Sequence, residues 1–107
     1  MPRVVLTSNA VAYNVVTLAR AKRANFPLAP TDLSIQVPDN SVEAANAGAT
    51  LKVGTPDSLV TPTDVTGGEI ALLEGDTKVW PGPNIDAMNK YMKGSVNNQV
   101  IYIGAEG

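Results

Sequence analysis

The sequence predicts a mainly β fold: a small antiparallel β-sandwich or barrel of six to eight short strands, with one short α-helix at about residues 84–93 and an extended N-terminal arm. Three observations carry this reading. Leu33, Ile35 and Val37 alternate with Ser34 and Gln36, and Ala49, Leu51 and Val53 alternate with Thr50 and Lys52; this is the period-two pattern of strands with one face buried. Eight prolines and nine glycines cut the 107 residues into short runs, as turns between strands require. The charge is divided. Residues 1–30 hold Arg3, Arg20, Lys22 and Arg23 and no acid, while residues 31–107 hold four bases against ten acids, so +4 and −6 make up the net −2.

In chain order, Arg3–Thr7 reads as extended. Val11, Val15, Leu18, Ala19 and Lys22 then follow helical spacing, and Ser8 or Asn9 can cap that helix. The competing reading is a strand with Val11, Tyr13, Val15 and Thr17 on one face, and the β-branched run Val15–Thr17 supports it. A short helix around residues 16–24 is the reading taken. Phe26-Pro27-Leu28-Ala29-Pro30 marks a boundary, because two prolines three apart do not fit inside a helix. The chain is therefore read as a single domain, made of an N-terminal segment, 1–30, and a β-rich body, 31–107.

Within the body, Pro38-Asp39-Asn40-Ser41 is a turn between the two alternating strands. Residues 54–68 read as loops around one short strand at Leu59-Val60. Glu69–Leu73 and Lys78–Trp80 flank a Gly-containing loop, which signals a hairpin. For residues 84–93, Pro83 and Asn84 suit a helix start. Ile85, Met88 and Met92 have helical spacing, and Gly94 is a stop. Val100–Ile103 is a last strand and Ala105–Gly107 a tail.

A body of residues 31–107 alone is small enough to need help, since short domains bury only about 60% of their unfolded surface. The chain has no Cys and no His, which removes disulfides and disfavours a zinc site. Oligomerisation remains, or packing of residues 1–30 onto the body. A pI near 4.9 speaks against nucleic acid as a partner. Val4–Leu6 is too short an apolar run for a secretory core, and no run approaches the roughly 20 residues of a membrane span, so no membrane partner is expected.

The candidate chemistry is thin. Without His, a general base has to be a carboxylate, Lys or Tyr with a shifted pKa. The acid pairs Glu74 with Asp76 and Asp57 with Asp64 lie in loops, where carboxylates cap turns; calcium is the weaker reading of the same acids. The chain is expected not to be an enzyme and to hold no cofactor or metal. Arg20-Ala21-Lys22-Arg23 is the one basic cluster, read either as an exposed helix end or as contact with an acidic protein surface. Trp80, the only Trp, is read as covering the core edge or a subunit interface.

The run Val65–Val79 and the ending Asn97–Gly104 are similar in style to small virion proteins of tailed bacteriophages. The length, the missing Cys, the short strands and the abundant Pro and Gly resemble capsid decoration (cement) proteins of that group. The resemblance implies a non-enzymatic virion structural protein on the capsid surface, often a trimer, with the major capsid protein or another virion protein as partner. In that reading the chain is a homo-oligomer, trimer or dimer. Val4, Val5 and Leu6 add a strand to a neighbouring sheet, and Arg20, Lys22 and Arg23 meet acidic surface. Trp80, Tyr91 and Tyr102 are buried at oligomer contacts. The alternative is a small β-domain of a phage tail or cell surface that binds glycan or peptide through Trp80 and the 54–68 loops.

Overall fold

A computed structural model of the chain describes residues 1–106. The fold is mainly β, with two antiparallel sheets and one short helix in a sandwich-like arrangement. The strands are β1 (Arg3–Leu6), β2 (Tyr13–Asn14), β3 (Asp32–Gln36), β4 (Thr50–Pro56), β5 (Val65–Leu73), β6 (Thr77–Pro81), β7 (Tyr91–Gly94) and β8 (Gln99–Glu106). One sheet has the order β1-β8-β3-β6 and the other β2-β7-β4-β5. Every step along the chain from strand to strand crosses between sheets, except β4 to β5.

The alternation in the sequence becomes the core. Val4, Leu6, Leu33, Ile35, Ile101 and Ile103 point inward from the first sheet, and Leu51, Val53, Leu72 and Met92 from the second. Each fully buried side chain of this size contributes about 1.5–3 kcal/mol.

Residues 1–30 are not an extended arm, which corrects the sequence reading. β1 pairs with β8, Val4 opposite Ile101 and Leu6 opposite Gln99. β2 pairs with β7, Tyr13 opposite Met92. Val15, Val16, Ala19 and Phe26 fill the same core cluster as the strands. The segment supplies the apolar surface that a body of 31–107 would lack, so the two proposed units form one packed core.

The α-helix, α1 (Val15–Arg20), lies within this segment. Asn14 caps it, its Oδ1 accepting the Thr17 amide at 2.9 Å. The helix expected at 84–93 is absent. Asn84 has φ +58°, a left-handed backbone where an N-cap needs extended geometry. Only Ala87–Asn89 makes a single 3-10 turn, and residues 91–94 are β7. Ile85 and Met92 are buried but Met88 is 52% exposed, so the three do not share a buried stripe.

The hairpin expected across residues 69–80 is also corrected, because its two strands belong to different sheets. β5 pairs with β4, Val53 opposite Ile70, while β6 pairs with β3, Leu33 opposite Trp80. The loop between them closes a turn, Asp76 N donating to Leu73 O, and also binds the residue that follows β3: Val37 N donates to Asp76 O and Gly75 N to Val37 O. Gly75 has φ +83° there, a conformation that favours glycine. Leu59-Val60 is a bend and not a strand, and Ala105 and Glu106 belong to β8 rather than to a tail.

Candidate functional site

The residues expected at an interface are not brought together into one surface. Val4 and Leu6 are core, and Val5 lies on the outer face opposite Val100. Their backbone pairs with β8 of the same chain on one side, and β1 is the edge strand of its sheet. Arg20 Nε donates to Phe26 O at 2.9 Å, and Arg23 Nη1 donates to Ala105 O at 2.9 Å. The guanidinium of Arg23 also sits 5.8 Å from the centre of the Phe26 ring. Lys22 is exposed.

Trp80 packs against the core cluster from the edge strand β6. The Nζ atoms of Lys90 and Lys78 lie over its ring, 5.1 and 5.9 Å from the centroid. The indole is engaged within its own chain, which disfavours it as a platform for a sugar. Lys78 lies opposite Ile35, so it points toward the sandwich interior from an edge, a placement that discourages edge-to-edge pairing. Tyr102 donates to Glu43 Oε2 at 2.7 Å. Tyr91 lies opposite Gly54 on the outer face of the second sheet, half-buried.

The loop acids cap turns. Asp57 Oδ1 accepts the Thr63 amide at 3.0 Å and Oδ2 accepts the Thr63 hydroxyl at 2.7 Å. These bonds hold the Asp57 carboxyl below its ordinary value. Asp64 is likewise lowered, by the Val65 amide first and by Lys52. Glu74 accepts the amides of Asn40 and Gly48, and Asp76 Oδ2 that of Leu73. No group of three or more acids gathers in a metal-binding arrangement among the described residues. No helix there is long and apolar enough to cross a membrane.

Three surface features stand out among the described residues. The first is the tip of the 57–64 loop. Asp57 N donates to Asp64 O, Ser58 Oγ accepts the Val60 and Thr61 amides, and Ala12 N donates to Pro62 O. This bracing holds Leu59 at 77% and Val60 at 89% exposure. Sequence reading hid them in a strand; the signal available was the adjacent Asp57-Ser58, a turn-forming pair.

The second feature is a cleft of about 370 Å³ on the outer face of the first sheet, lined by Met1, Pro2, Arg23, Asp32, Ser34 and Glu106 among others. The third is a cleft of about 140 Å³ on the outer face of the second sheet, lined by Thr50, Lys52, Lys93, Gly94 and Ser95. The chain matches no known family model, no curated protein and no solved structure.

Proposed function

We propose that this chain is a non-enzymatic virion structural protein that docks on the outside of a phage capsid and reinforces it. The observation that carries the reading is the 57–64 loop. The loop extends the β4/β5 ladder and binds the Ala12 amide, and with that bracing it presents Leu59 and Val60 to water as a fixed pair. Seating both side chains in a neighbour's pocket removes that apolar area from water, a gain of about 1.5–3 kcal/mol per fully buried side chain. The contact takes the place of the extended N-terminal arm of the sequence reading, because β1 packs within the sandwich as an edge strand paired with β8. The resemblance of Val65–Val79 and Asn97–Gly104 to small phage virion proteins supports the same class. The partners in this reading are the major capsid protein or another virion protein, and further copies of the chain.

The test is co-sedimentation of the purified protein with capsids of the virus that encodes it, for wild type and for Leu59→Asp/Val60→Asp. The expected result is binding by wild type and at least tenfold weaker binding by the double variant, with an unchanged circular dichroism spectrum. Failure of the wild-type protein to sediment with capsids overturns the reading. Equal binding by the two forms overturns the role of the loop.

A further inference from the structure

Two like-charge pairs stand on opposite faces of the sandwich. On the second sheet, Lys52 lies directly opposite Lys93 across β4 and β7. Leu51, Val53 and Met92 point inward beside them, so both lysines project from the outer face. On the first sheet, Asp32 lies directly opposite Glu106 across β3 and β8. Leu33 is buried beside Asp32, which puts this pair on the outer face as well. Like charges placed opposite one another across a strand pair are destabilising, so each pair costs the isolated chain some stability.

Each pair is offset only in part. Asp64 reaches Lys52 at 3.4 Å, leaving the lysine cleft one positive charge in excess. Arg23 lines the cleft of Asp32 and Glu106, but its guanidinium donates to the neutral Ala105 carbonyl and to Asn25. No ion pair reaches Asp32 or Glu106 among the described residues. The acidic cleft therefore carries one negative charge in excess, counting these side chains. Both pairs border a concavity, about 370 Å³ on the acidic side and about 140 Å³ on the basic side.

We propose that the Lys52/Lys93 face is a docking site for the Asp32/Glu106 face of a second copy of this chain. The two faces match in charge, and a copy that brings carboxylates to one side relieves the repulsion on both. Because the surfaces differ, the contact is head-to-tail, so copies close into a ring or continue as a stack. Tyr91 stands two residues from Lys93 on the same strand face and supplies an aromatic rim. The 38–48 segment covers the far end of the first sheet, where Asn46 binds both the amide and the carbonyl of Val100, and the Asp32/Glu106 end lies beyond it, bordered by Met1, Pro2 and Arg23. The inference rests on the assembly reading above for its biological use and adds to it the surfaces of self-contact.

The test is sedimentation velocity over a range of protein concentration at low salt and at about 0.5 M salt, where the screening length drops to a few ångströms. The expected result is self-association of wild type that weakens at least tenfold in the higher salt. Lys52→Glu/Lys93→Glu and Asp32→Lys/Glu106→Lys are each expected to be folded monomers. Mixed one to one, they are expected to associate again, because the intact acidic face of the first meets the intact basic face of the second. Monomeric wild type, association unchanged in the variants, or a mixture that stays monomeric each overturns the proposal. A monomeric wild type that still binds capsids overturns this proposal alone; a self-associating one that ignores capsids overturns only the capsid reading.

Discussion

Arg3 holds Glu43 through two parallel hydrogen bonds, Nε to Oε2 at 3.0 Å and Nη2 to Oε1 at 2.9 Å. The first base of the acid-free segment is thus paired with an acid of the body, forty residues on, inside one molecule. The hydroxyl of Tyr102 completes the arrangement on Oε2. Part of the charge division that runs along the chain is in this way settled within the fold.

The pairing predicts an acid-sensitive stability. The bonds from Arg3 and Tyr102 lower the Glu43 carboxyl from 4.5 to about 2. A carboxylate depressed in the folded state contributes stability that is fully present above its unfolded pKa and is lost as pH falls through the folded one. The thermal midpoint should therefore drop between about pH 4.5 and pH 2, with a slope that Glu43→Gln flattens. Identical pH profiles for the two proteins would show that the pair contributes nothing.

Asn46 predicts a large local cost. It is fully buried. Its Nδ2 donates to Pro38 O at 2.8 Å and Val100 O at 2.9 Å, and its Oδ1 accepts the Val100 amide at 2.8 Å. Asn46→Ala leaves three backbone groups without partners, a loss of about 3 kcal/mol. Chemical denaturation at neutral pH measures it. A change below about 1 kcal/mol would mean that water replaces the amide.

Leu6 tests the integration of the N-terminal segment. Leu6→Ala removes a fully buried side chain from the core and should cost about 3 kcal/mol in denaturant unfolding. A segment that reached out to a neighbour would tolerate the change in the isolated protein. Deleting residues 2–25 removes β1, β2 and α1 together and is expected to abolish the cooperative unfolding transition.

The strands 33–37 and 49–53 were legible because each buries one face, and period-two alternation records that directly; 100–103 was legible only as a short apolar run, since Gln99, Val100 and Ile101 are all buried. The short helix near residue 16 was legible in place but not in its cap or its end: Asn14 rather than Ser8 or Asn9 caps it, and it stops at Arg20 rather than at residue 24. What could not be read locally depends on partners far along the chain. Residues 91–94 are a strand because β4 and β2 flank them, Val53 and Tyr13 both opposite Met92. Helical spacing of Ile85, Met88 and Met92 competed with that pairing and lost, with Asn84 in a left-handed conformation. The 69–80 hairpin failed for a similar reason. Both of its strands exist, but Val37 captures the turn and sends them to different sheets. The same limit hid the charged faces. Lys52 and Lys93 are unremarkable forty-one positions apart, and only the register of β4 with β7 makes them neighbours.

The assembly role is tested most directly by electron cryomicroscopy of capsids bearing the protein. The account predicts density for the two-sheet sandwich on the outer surface, with the tip at Leu59 and Val60 seated against an adjacent subunit. Particles that carry the protein with that tip facing solvent, or that do not carry the protein at all, would contradict it.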